Sequence, residues 1–235
     1  MKKNAFTLAE VLITLGIIGV VAAMTLPTLI QNYQKQVYAN GAKKGLNTVM
    51  NLMSKIQADE NASSLETTTL FSDGTCYMDP TCEERYGNPT VIENLIPKYV
   101  KTIKTCKNEE CDIKYIDTYF GNNKLYLYEN SSPENIYILN SHWSTIYGFY
   151  LEDGMVLYIF PSQIGISIYF DINGEKGPNT KGYDLFFVSF SRTTGKVSYS
   201  PRANHDPDNT YYNQADYYSN NPLYYLMSNG WKMDY

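Results

Sequence analysis

Residues 6–30 read FTLAEVLITLGIIGVVAAMTLPTLI, and the reading of that stretch decides the fold. It carries one charge, Glu10, in 25 residues, and Val11 to Leu26 is an uncharged run of 16. At about 1.5 Å per residue, a helix of this length crosses a hydrocarbon core about 30 Å thick. Lys2 and Lys3 lie just ahead of it and hold the short leader, residues 1–5, on the cytoplasmic side. The lone carboxylate is the anomaly. An ionised side chain inside such a helix costs about 2.5–3.5 kcal/mol on insertion scales. Glu10 therefore predicts a partner.

A cleaved secretory signal peptide has a similar composition: a basic start, an apolar stretch, and small residues at Val21-Ala22-Ala23 where a peptidase would cut. Three features oppose it. A discarded segment has no use for Glu10. The helical pattern also runs past the cut, with Ile30, Tyr33, Val37, Leu46, Val49, Met50, Met53 and Ile56 mostly at helical spacing. Finally, Pro27 kinks a well-packed helix without ending it. One helix is predicted from Phe6 to about Gln57, roughly 75 Å long. Its part 6–30 lies in the membrane or a filament core, and its part 31–57 is amphipathic. Gly41 and Gly45 are read as local weak points. Gly16 and Gly19 either let helices approach closely or are ordinary glycines of a membrane helix.

Lys2-Lys3-Asn4-Ala5 followed by Phe6-Thr7-Leu8-Ala9-Glu10, with Pro27 further on, resembles the leader and helix start of type IV pilins and type II secretion pseudopilins. The resemblance covers residues 1 to about 35. It implies that a prepilin peptidase cuts between Ala5 and Phe6 and that the same enzyme N-methylates Phe6. Glu10 stands at the family's glutamate and Pro27 at its kinking proline. Ala5 departs from the Gly usual before the cut. The new α-amino group of Phe6 is mostly protonated near neutral pH. Neither that amine nor the Glu10 carboxylate is tolerable alone out of water, whereas the pair is. Glu10 of an incoming subunit is thus expected to meet the Phe6 amine of a neighbour and set register.

Beyond residue 57 the pattern changes. Residues 58–90 are rich in Asp, Ser, Thr, Gly and Pro and read as loop. Residues 91–104 read as a short helix with a break at Pro97. From 113 onward come Tyr-, Ile-, Phe- and Val-rich runs, with strands predicted at 124–128, 136–139, 146–151, 155–160, 164–171, 183–190 and 196–199. Glu152-Asp153-Gly154 reads as a hairpin turn. The expected fold class is α+β: a long N-terminal helix packed on an antiparallel sheet, with residues 58–235 as the globular head. The aromatic tail 200–235 is read as packing loops onto the sheet, with sugar or partner binding as the other possibility.

Four cysteines form two local pairs, Cys76/Cys82 and Cys106/Cys111. An exported domain favours disulfides between the members of each pair, although four cysteines allow three connectivities. The spacings are too long for a Cys-x2-Cys zinc site. Asp171-Ile-Asn173-Gly174-Glu175-Lys-Gly177-Pro178-Asn179-Thr-Lys-Gly182-Tyr-Asp184 alternates oxygen side chains with glycines. It is either a structural hairpin or a loop wrapping a hard cation such as Ca2+. For a cation, Asp171, Asn173, Asn179 and Asp184 are the expected ligands. The loop also resembles a pattern in some bacterial pseudopilin-like proteins, and major pseudopilins hold calcium in that general region.

Composition narrows function further. Lys plus Arg number 19 and Asp plus Glu 24, for a net charge of −5, which argues against a nucleic-acid partner. Two histidines leave little for a metal centre or a set of general bases. His142 and His205 are far apart in sequence and lack an obvious nucleophile, and no Gly-x-Ser-x-Gly, P-loop or His-Glu-x-x-His occurs. The expectation is a non-enzymatic subunit of a pilus or secretion pseudopilus, of a minor or specialised kind. It starts as a single-pass precursor in the bacterial inner membrane, with its head exported to the periplasm or cell surface. Its partners are the prepilin peptidase and other pilin-type subunits. The rival is a secreted carbohydrate-binding or hydrolytic protein with an ordinary signal peptide, using carboxylates such as Glu152 and Asp153.

Overall fold

The computed structural model describes residues 7–71, 89–111, 114–115, 118–121, 124–127, 137–138, 146–161, 165–174, 176–195, 197–198 and 221–235. Helix α1 runs Leu8–Asp59 and passes Pro27 without interruption. Its two halves behave differently. From Leu8 to Val37 its large apolar side chains are exposed. From Ala39 to Ile56 one stripe is buried: Ala39, Ala42, Leu46, Val49, Leu52, Met53 and Ile56. That is the 3–4 spacing of an amphipathic helix, and it faces the sheet.

The sheet has six strands in the order β1-β6-β7-β8-β9-β10, every neighbouring pair antiparallel. These are β1 (Thr102–Lys107), β6 (Tyr147–Leu151), β7 (Val156–Pro161), β8 (Gly165–Asp171), β9 (Leu185–Ser191) and β10 (Val197–Ser198). Strands β6 to β10 form a meander, and β1 joins its far edge. Two small ribbons stand apart: β2 (Lys114–Tyr115) with β5 (Tyr137–Ile138), and β3 (Thr118–Gly121) with β4 (Lys124–Leu127). Alternation along the strands splits the apolar residues between two faces. Leu157, Ile159, Ile166, Ile168 and Phe170 join the α1 stripe in the main core. Val156, Tyr158, Phe160 and Leu185 belong to a second cluster with Cys106 and Cys111. The fold is α+β with a pilin-like arrangement of long helix and antiparallel sheet.

The strands expected from residue 124 onward are present within a residue or two. Gly154 sits at φ 87 in the β6–β7 hairpin, as the Glu152-Asp153-Gly154 turn requires. Three expectations need correction. The helix read at 91–104 is α2, Pro89–Tyr99, and the chain then turns into β1. Pro97 lies inside α2, near its end, and the helix continues two residues beyond it. Gly41 and Gly45 are packing notches on the buried side of α1, where the sheet comes close. A Cβ on Gly45 would overlap the Phe170 ring, and one on Gly41 would lie 2.5 Å from Ile172 Cδ1. The tail also contains a helix that the sequence reading lacked. Helix α3, Pro222–Ser228, is capped by Asn221 Oδ1, which accepts from Leu223 N at 2.8 Å, and it buries Leu223 and Leu226. Within the stretch read as loop, a 3-10 turn at Leu65–Thr67 supports buried Leu65, Leu70 and Phe71.

Candidate functional site

The first site is the start of α1. Thr7 is its N-cap, and Thr7 with Glu10 forms a reciprocal capping box. The Glu10 main-chain N–H donates to Thr7 Oγ1 at 3.3 Å, while Thr7 N and Oγ1 both donate to Glu10 Oε2 at 2.8 Å. In the isolated subunit Glu10 therefore has a local partner. The signal for it is the Thr-x-x-Glu spacing just before an apolar run, which the sequence reading passed over in favour of the Phe6 amine. Ala5 and Phe6 lie outside the described residues. Glu10 and Pro27 both fall on the exposed apolar half of α1. Among the described residues α1 is the one helix long and apolar enough to cross a membrane.

The second site is the loop between β8 and β9. Strand pairing sets Asp171 opposite Leu185, so Asp171 and Asp184 close the same end of the ladder. Asp171 Oδ1 accepts from Asn173 N at 3.1 Å and Gly174 N at 2.8 Å. Asp184 accepts from Asn179 N at 2.8 Å through Oδ2 and from Thr180 N at 2.7 Å through Oδ1. Gly174, Asn179 and Gly182 take positive φ values of 64, 48 and 94, which lets the chain fold around these carboxylates. Both acids are buried, Asp184 at 0 % exposure. Burial is the largest influence on Asp171 and pushes it up to about 7. The two main-chain donors pull it down, and the Asp184 carboxylate pushes it up. Burial likewise raises Asp184 against its own hydrogen bonds.

Two more oxygens matter here. Asn173 Oδ1 and Asn179 Oδ1 are buried and have no hydrogen-bond partner among the described residues. Buried polar atoms are nearly always paired. The Asp184 carboxylate raises Asp171, Asp184 itself accepts from the Asn173 side chain, and two amide oxygens without a partner among the described residues lie on the same loop. Hard cations take six to eight oxygens from carboxylates, amides, main-chain carbonyls and water. Asp171, Asn173, Asn179 and Asp184 fit that requirement in kind. Among the described residues no group of three or more Asp, Glu, His and Cys assembles, so carboxylates alone would not hold an ion.

The remaining residues singled out from the sequence divide cleanly. Cys106 and Cys111 are disulfide-bonded, with Cα atoms 5.1 Å apart. Their sulfurs lie over Gly148 of β6, where any side chain would overlap Cys106 Sγ. Cys76, Cys82, His142 and His205 lie outside the described residues. Glu152 and Asp153 do not form an acid/base pair. Each pairs with a lysine, Lys101 Nζ at 3.6 Å and Lys44 Nζ at 2.6 Å respectively.

An exposed apolar helix start on an α+β head fits a membrane-anchored precursor of the pilin type. Comparison with family models agrees: residues 1–26 match the prokaryotic N-terminal methylation motif, the prepilin segment of type IV pilin- and pseudopilin-like proteins. Comparison with curated proteins and with solved structures found no match. The motif implies processing by a prepilin peptidase and assembly with other pilin subunits in general.

Proposed function

We propose that this chain is a structural subunit, of a minor or specialised kind, of a type IV pilus-like or type II secretion pseudopilus filament, and not an enzyme. It would be made as an inner-membrane precursor, cut after Ala5, methylated on Phe6, and drawn into a helical filament by residues 6–37, with the head exported. The observation that carries this reading is the division of α1. Residues 8–30 are apolar but for Glu10 and a few threonines and are exposed, yet they continue without a break into the helix whose stripe builds the head's core. A cut at Ala23 would leave Met24, Leu26, Leu29 and Ile30 exposed at the start of an exported protein. The test is the intact mass and N-terminal sequence of protein from native cells. A start at Phe6 carrying one extra methyl group supports the proposal. A start at Met24 or beyond overturns it in favour of a secreted protein.

A second reading concerns the loop 171–184, which we propose binds a divalent cation, calcium by the hardness of its donors. The orphaned oxygens of Asn173 and Asn179 beside two buried carboxylates support it. Calorimetric titration of the EGTA-treated protein with calcium tests it. Absence of heat and of any rise in Tm overturns the cation reading and leaves the filament reading untouched.

A further inference from the structure

We infer that cation binding at the β8–β9 loop fixes the neck of α1 and the C-terminal segment to the head, so that the loop acts as a clasp. The inference rests on the cation reading above and concerns what the loop holds. The residues between the expected ligands point the other way. Ile172, flanked by Asp171 and Asn173, fills the notch at Gly41 of α1. Its N–H donates to Asp184 O at 2.9 Å, which ties the two ends of the loop together. Tyr183, next to Asp184, meets Tyr38 of α1 edge-on with ring centroids 6.2 Å apart. Tyr183 also meets Tyr235 at 5.8 Å, and Tyr235 meets Tyr225 of α3 at 5.8 Å. Tyr235 Oη donates to Gly182 O at 2.6 Å. A Cβ at Gly174 would lie 3.0 Å from Gly154 O in the β6–β7 hairpin, whose Asp153 pairs with Lys44 of α1.

Residues 38–45 of α1 thus meet the loop directly through Tyr38 and Gly41, and through the adjacent hairpin at Lys44. They are also where α1 passes from its exposed apolar half to its buried stripe. If the loop opens, Ile172 and Tyr183 leave together, and the neck of the helix loses its cover. An ion that joins Asp171 to Asp184 opposes that opening by linkage. At a concentration 100 times its Kd, openings that release the ion become about 100-fold rarer.

Hydrogen exchange on the full chain in detergent, with calcium and with EGTA, tests this. The expected result is that calcium slows the amides of 172–184, of 38–45 and of 223–235 in parallel, by up to about 100-fold. A Tyr38→Ala variant should still bind calcium but lose the effect on 38–45. Binding in calorimetry with protection confined to 172–184 overturns the clasp and leaves the cation site standing. No binding in calorimetry overturns both.

Discussion

Gly45→Ala separates a local reading of α1 from a tertiary one. Glycine inside a helix costs about 1 kcal/mol relative to alanine, so propensity alone predicts that the variant is more stable. The structure predicts the reverse. The new Cβ would overlap the Phe170 ring, with Cε2 at 2.6 Å and Cγ at 3.3 Å. Phe170 is at 0 % exposure and stacks on Phe186 with ring centroids 5.6 Å apart, so the ring has nowhere to swing. Overpacking of this kind costs about 1–3 kcal/mol. With the upper half of that range set against the propensity gain, the net loss is about 1–2 kcal/mol. For a chain of this size that lowers Tm by about 2–8 °C. Thermal unfolding of the detergent-solubilised protein, followed by near-UV circular dichroism of the head, measures it. Phe170→Leu in the same chain should recover part of the loss, a coupling that a double-mutant cycle resolves. A Gly45→Ala protein as stable as the parent, or more so, would refute the notch. Gly41→Ala meets Ile172 at Cδ1 (2.5 Å) and also at Cβ and Cγ1 (3.2 and 3.3 Å), so rotating the end of the side chain relieves only part of the contact, and the variant should lose stability, but less than Gly45→Ala.

Glu10→Ala should abolish filament incorporation while leaving the Tm of the head unchanged, because the Glu10 side chain is exposed and hydrogen-bonds Thr7 at the far end of α1; normal incorporation in a pull-down of native filaments would sink the proposed pairing with Phe6. In EGTA, the raised folded-state pKa of Asp171, about 7 against an ordinary 3.8, means the native state binds that proton more tightly than the unfolded chain does. Its contribution is therefore fully present below about pH 4 and is lost as pH rises through 7. Urea titrations across pH should show this slope, and Asp171→Asn or saturating calcium should flatten it. Tyr235→Phe leaves Gly182 O without its donor and should cost about 1 kcal/mol in urea unfolding. Lys44→Met removes an ion pair whose side chains are 60 % and 36 % exposed, and it should change stability by less than about 1 kcal/mol.

What could be read from the sequence followed the range of the interactions that decide each element. The strands from residue 124 onward are short runs rich in Tyr, Ile, Phe and Val, and such runs read as strands whatever they pair with. Strand β1 fails the same test. Its apolar residue Ile103 continues the helical spacing of Ile92, Leu95, Ile96, Tyr99 and Val100, and only the ladder to β6, some forty residues on, makes it a strand. Helix α3 carried its own signals, an Asn cap, Pro222 at the first turn and Gly230 after the end. They were hidden among tyrosines that read as surface packing.

The two glycines of α1 are harder still. Nothing near Gly45 shows that a phenylalanine 125 positions away will need its space. The β8–β9 loop is the opposite case. Its four oxygen-bearing residues are spaced so that any hairpin joining β8 to β9 must bring Asp171 and Asp184 to the same end of the ladder. Once that pairing forms, both carboxylates are buried. Local spacing was therefore enough to bring Asp171 and Asp184 to one end of the hairpin. The inward direction of Asp171 and Asp184, and the outward direction of Ile172 and Tyr183 toward α1, required the whole fold.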